Sequence, residues 1–221
     1  MLAEECIPFF MMDLRCLGME TQALVPSYGQ WLQECDMTPS YVQHKKALQA
    51  LQHAQPTETW SLKTPNHLWC LETLLEFYPD ARLIWTHRDP GPVTTSVASL
   101  NSTMQGIFTK DRDPVAVGAD WFGKLQHAIR RGIEFDEQAE EGWCVHVHYS
   151  EMMRDPLATM RKIYAHFGDE PHELHERRIE SWLAEKPQTH AGKHVYDPKD
   201  FGWTYESLAS EWQHYTDRYS I

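Results

Sequence analysis

Two cations, Lys63 and Arg88, each stand at the end of a short β-type run, where a fold could present them to an anion. In ARLIWTHRDPGPVTTSVASL (residues 81–100) an apolar run ends in Arg88, Pro and Gly follow, and a helical pattern begins that carries Thr94, Thr95 and Ser96 in its first turns. An arginine fork, a helix N-terminus with unsatisfied N–H groups and a hydroxyl side chain each favour a phosphate or sulfate. A second reading is open on the pattern alone: Arg88 and Asp89 form a salt bridge in a turn, and the hydroxyls only face solvent. Lys63 ends the run TWSLKTP (59–65). In open α/β sheets ligands bind beyond the carboxyl ends of the strands, so Lys63 and Arg88 are expected at one rim.

The elements that must position these residues are readable as alternating patterns. Residues 3–20 have helical spacing, 25–39 (VPSYGQWLQECDMTP) read as a loop with a short helix, and 40–54 form a helix with Thr38 and Pro39 as start signals. The 59–65 strand is stopped by Pro65. NHLWCLETLLEFY then sets Leu68, Leu71, Leu75 and Tyr78 at helical spacing, and RLIWTH (82–87) is a buried strand. Pro92 suits the first turn of a helix with Val93, Val97, Leu100 and Met104 on one face. A long helix opens at Asp113-Pro114 and carries Trp121, Leu125 and Ile129; WCVHVHY (143–149) is a third strand. The next helix is capped by Asp155, begins at Pro156 and ends at Gly168. Residues 171–186 and 204–219 are further helices, joined by the loop QTHAGKHVYDPKDFGW. Strands alternating with helices predict an α/β fold, a parallel sheet flanked by helices. The strands near 60–63 and 83–87 should lie side by side or one strand apart.

Bulk properties bound the function. A chain of 221 residues, 42% hydrophobic, can bury one substantial core, most simply as a single domain over 1–221. A net charge of −12 argues against nucleic acid as a partner, because backbone binding needs a broad basic surface; any anion site must be local. Five cysteines, with no C-x-x-C pair, read as a reduced, cytoplasmic chain. No apolar run is long enough to span a bilayer, and mean hydropathy is −0.56. Cys144, His146 and His148 alternate along one strand face. Residues spaced this way rarely wrap one ion, so they are expected to be core or partly buried residues, and no metal is expected.

The combined blocks carry a resemblance. WSLKTPNHLWCLETLLEFYPDARLIWTHRDPGPVTTSVASL resembles the core of the sulfotransferase family in its LK[ST]P-x-H … PDA … HRDP branch. VHYSEMMRDPLATMRKIYAHFG is similar to the family's later block, and GKHVYDPKDFGW to its C-terminal loop. The resemblance implies a P-loop-hydrolase-like sulfotransferase fold and the donor 3′-phosphoadenosine 5′-phosphosulfate (PAPS). By the same resemblance Arg88 and Ser96 bind the 3′-phosphate, Tyr149 lies by the adenine, and Lys193, with His194, closes over the donor phosphate. Lys63 lies near the oxygen that bridges the 5′-phosphate and the sulfonate, where negative charge builds as the sulfonate leaves. An acceptor hydroxyl needs a base: His67 is the nearest candidate in sequence, and Glu4 or Glu5 is the alternative. The acceptor implied is a small molecule, lipid or carbohydrate with a hydroxyl or amine.

One family feature is missing. No glycine-rich phosphate loop occurs in the 221 residues. The chain is therefore expected to be an N-terminally incomplete domain, and a catalytically inactive nucleotide-binding or interaction domain is the alternative to an active transferase.

Overall fold

The computed structural model describes residues 4–185 and 195–221. Two parallel strand pairs organise them. β1 (Glu4–Glu5) pairs with β2 (Leu62–Lys63), and β3 (Leu83–His87) pairs with β4 (Cys144–His148). Parallel pairing is as expected for an α/β chain. Of the two expected arrangements, β2 directly beside β3 is not found: β2 bonds to β1, and the strand at 83–87 bonds to the strand at 144–148.

The described residues divide into two compact units. The first comprises Met1–Ala81, Thr94–Gln138 and Pro198–Trp203. Its helices are α1 (Ile7–Met11), α2 (Pro26–Glu34), α3 (Thr38–Ala54), α4 (Leu71–Phe77), most of α5 (Pro90–Phe108) and α6 (Pro114–Gln138). Proline stands in the first turn of α1, α2 and α3, where its missing N–H costs nothing. The helical reading of 3–20 is corrected. Its start is strand β1, because Cys6 N–H donates to the Lys63 carbonyl at 2.9 Å, and a partner almost sixty residues away leaves no local signal. Residues 65–69 also differ, forming a 3₁₀ turn that Thr64 caps, with α4 starting only after Cys70. Phe10, Leu32, Tyr41, Leu74, Val117 and Trp121 are among the buried core residues of this unit.

The second unit comprises Arg82–Val93, Ala139–Asp197 and Thr204–Ile221. It holds β3 and β4 with α7 (Tyr149–Arg154), α8 (Pro156–His166), α9 (Glu173–Glu185) and α10 (Tyr205–Tyr219). The caps of α8 are those expected. Asp155 accepts from Ala158 N–H at 2.9 Å, and Gly168 takes the left-handed φ of +73° that favours glycine. Val145, Val147, Leu208, Trp212 and Tyr215 are buried here.

Helix α5 buries a polar face beside its apolar one, where Val93, Val97 and Met104 are half-buried. Thr94, Thr95, Ala98, Asn101, Ser102 and Gln105 are buried, whereas Leu100 is 58% and Ile107 69% exposed. Two amides of this face find backbone acceptors: Asn101 Nδ2 donates to the Val97 carbonyl at 2.8 Å and Gln105 Nε2 to the Glu20 carbonyl at 3.0 Å.

Candidate functional site

Each parallel pair ends at its carboxyl side in two residues of functional type, and strand register is the reason. In the first unit Glu5 lies opposite Lys63. The two side chains form an ion pair, with Lys63 63% exposed and Glu5 31% exposed. An exposed pair of this kind holds weakly, so the ammonium can be shared with or surrendered to an arriving anion. Glu4 pairs with Leu62 through the backbone one step earlier.

His67 lies in the 3₁₀ turn that follows β2. Its Nδ1 is 2.7 Å from the Tyr41 hydroxyl, and its ring stacks on Tyr41 and meets the Phe10 ring edge-on. Burial in this aromatic cluster holds the imidazole far below its ordinary value, at about 3. The same burial pushes the Tyr41 hydroxyl up, so the tyrosine keeps its proton, and its oxygen lies between His67 Nδ1 and Cys70 Sγ, the latter at 3.5 Å. As a proton acceptor His67 is therefore weak.

In the second unit His87 and His148 are register partners that end β3 and β4. The residues that follow them, Arg88 and Tyr149, meet: the guanidinium carbon lies 4.4 Å from the centroid of the tyrosine ring. Tyr149 is half-buried rather than a core residue. Arg88 is exposed and forms no ion pair or hydrogen bond among the described residues. The alternative of an Arg88–Asp89 salt bridge is not found, because Asp89 caps α5 instead, its Oδ1 accepting from Gly91 N–H at 3.0 Å. A planar fork held on one face and open at its edge suits a bidentate phosphate contact.

Ser96 is the seventh residue of α5, beyond its N-terminal turn. Thr94 and Thr95 are fully buried, so Ser96 alone of the three hydroxyls keeps solvent access. Lys193 and His194 lie outside the described residues. Among the described residues no group of three or more metal-ligating side chains gathers, and no helix is long and apolar enough to cross a membrane.

Two features escaped the sequence. The pairing of Glu5 with Lys63 depends on β1, whose two residues carry no strand pattern. The other is a buried chain of bonded side chains, Tyr215 to His87 to His146. Its one visible trace was the alternation of Cys144, His146 and His148.

Known proteins resemble this arrangement along nearly the whole chain. A family model described as the sulfotransferase family matches residues 2–173. The omega-hydroxy-beta-dihydromenaquinone-9 sulfotransferase Stf3 of Mycobacterium tuberculosis, and that of Mycobacterium bovis, is 27% identical over 170 residues, which are 73% of this chain and 41% of the relative. The crystal structure of sulfotransferase STF9 from Mycobacterium avium superposes with a TM-score of 0.90 at 32% identity, covering 99% of this chain and 56% of that one. Sulfotransferase STF1 from Mycobacterium tuberculosis gives a TM-score of 0.80 at 29% identity, covering 94% and 53%. The chain thus spans about half the length of these relatives.

Proposed function

The chain belongs to the sulfotransferase family, and from that membership we propose that it moves a sulfonate group from PAPS to the hydroxyl of a lipid-class acceptor. The observation that carries the reading is the Glu5–Lys63 pair, a carboxylate and an ammonium set together by strand register. In the proposed step the Glu5 carboxylate takes the proton of the acceptor O–H as that oxygen attacks sulfur. A new S–O bond forms, and the bond from sulfur to the bridging oxygen breaks. The electron pair of the broken bond goes to the bridging oxygen, where the Lys63 ammonium stabilises it, and adenosine 3′,5′-bisphosphate departs.

Arg88 is the proposed ligand of the 3′-phosphate, supported by its open guanidinium edge and its seat on Tyr149. Ser96 keeps the same assignment, supported by its retained solvent access, and Tyr149 is assigned to the adenine. Glu5 replaces His67 as the proposed base, because burial holds His67 at about 3 and Tyr41 occupies its Nδ1. The acceptor class is supported by the name of Stf3, which acts on a hydroxylated menaquinone.

The test is transfer of radiolabelled sulfonate from PAPS to a panel of hydroxyl acceptors that includes a hydroxylated isoprenoid quinone. Lys63→Ala should lower kcat by roughly 10²–10³, the cost of losing one preorganised donor at a developing oxyanion. Glu5→Gln should lower kcat with little change in the KM for donor. Nucleotide binding without transfer to any acceptor would make the chain a nucleotide-holding domain and overturn the proposal.

A further inference from the structure

His87 is buried at 1% exposure, and both of its ring nitrogens are engaged. Nδ1 lies 2.8 Å from the Tyr215 hydroxyl, and Nε2 lies 2.8 Å from His146 Nδ1. His146 Nε2 in turn lies 3.3 Å from Cys144 Sγ. Three elements are thereby joined, β3 through His87, β4 through Cys144 and His146, and α10 through Tyr215. Burial pushes the Tyr215 hydroxyl up, so it carries its proton at any working pH. Among the described residues that proton meets one acceptor, His87 Nδ1, and the direction of the chain follows. Tyr215 O–H donates to His87 Nδ1, His87 Nε2–H donates to His146 Nδ1, and His146 Nε2–H points at Cys144. Tyr219 also stacks on the His87 ring, with centroids 4.2 Å apart.

An apolar side chain could fill this place in the core, but it could rotate and slide. A ring bonded at both nitrogens cannot turn without breaking two bonds, and fully satisfied buried networks of this sort fix one geometry. Arg88 is the next residue in the chain. Successive residues of an extended chain point to opposite sides, so the ring held inside anchors the backbone from which the guanidinium projects outward. Tyr149, which holds the guanidinium face, follows His148, the register partner of His87.

We propose that His87 is a positioning residue for Arg88: the buried bonds from Tyr215 through His87 to His146 fix the end of β3 and so aim the guanidinium at the 3′-phosphate. The inference rests on the reading of Arg88 as the 3′-phosphate ligand, and its test separates the two.

Calorimetric titration compares adenosine 3′,5′-bisphosphate with adenosine 5′-monophosphate on the wild-type chain and on Arg88→Ala, Tyr215→Phe and His87→Ala. Tyr215→Phe keeps the ring stacking and removes one hydroxyl, so it reports even where His87→Ala folds poorly. Arg88→Ala should remove most of the preference for the bisphosphate, and Tyr215→Phe should lower it by about 3- to 10-fold, the range expected for one lost hydrogen bond. Affinity for the monophosphate should stay unchanged in Tyr215→Phe. A purely structural role for His87 would weaken both nucleotides alike, and that result overturns the inference. So does a preference lost in Arg88→Ala but kept in full in Tyr215→Phe. A wild-type chain with no preference overturns the reading of Arg88 and the inference with it.

Discussion

Burial decides how His44 and His67 behave, and the consequence is a pH dependence of stability. Both rings sit in the aromatic cluster of the first unit, and His44 Nδ1 bonds the Tyr78 hydroxyl at 2.7 Å. Desolvation lowers His44 to about 4 and His67 to about 3, from an ordinary value of 6.5. The unfolded chain therefore binds protons in a range where the folded chain does not. The stability contributed by these rings is fully present above about pH 6.5 and falls as pH drops towards 4 and 3, by up to about 1.4 kcal/mol per pH unit for each ring. Urea unfolding at about pH 7 and about pH 5 should show a smaller loss of midpoint in His67→Gln than in the wild type. Equal losses would mean that His67 is not held neutral by the fold.

At the scale of elements, the caps of α8 supply a direct test. Asp155→Ala removes the acceptor for Ala158 N–H and should cost about 1 kcal/mol. Gly168→Ala meets no neighbouring atom, so its cost, also about 1 kcal/mol, comes from the left-handed backbone alone. Denaturant melts of both variants check this, and an unchanged midpoint would contradict the cap geometry. The same helix illustrates what was legible. Asp155, Pro156 and Gly168 act within a few residues of themselves, so pattern reading finds them, as it finds β3 and β4 from their apolar runs. β1 carries a helical pattern, and its identity as a strand is conferred by Lys63, far along the chain. The buried polar face of α5 is not legible from periodicity, which assumes that apolar residues go inside, whereas Thr94, Thr95, Asn101 and Gln105 are buried and Leu100 is exposed. Lys63 and Arg88 are marked in the sequence by type and spacing, Tyr149 only by the family resemblance. The Glu5 partnership and the Tyr215–His87–His146 chain are products of register and tertiary packing, which no local window contains.

At the scale of the molecule, an acidic chain must manage its charge inside as well as outside. Lys124 is buried at 3% exposure and pairs with Glu20 at 2.9 Å and with Asp120 one helical turn away. Burial pushes the Glu20 carboxyl up while Lys124 draws it down. Gly29 leaves room for the pair, since a Cβ there would stand 2.6 Å from Glu20 Oε1 and 2.7 Å from Lys124 Cε. Lys124→Met would strand two acids in the core and should cost roughly 3–5 kcal/mol by urea unfolding, with Glu20→Gln in the same chain restoring part of the loss. A neutral Lys124→Met would show that the pair is not buried in solution.

The claim that joins these scales is that the chain moves sulfonate from a donor recognised by its 3′-phosphate. Its most direct test is transfer of radiolabelled sulfonate to a hydroxylated isoprenoid quinone from PAPS, compared with transfer from adenosine 5′-phosphosulfate, which lacks that phosphate. The account predicts labelled product from PAPS with a kcat/KM roughly 10- to 100-fold higher, as one charge-assisted contact would give, and loss of that margin in Arg88→Ala. Equal use of both donors, or transfer from neither, would contradict it.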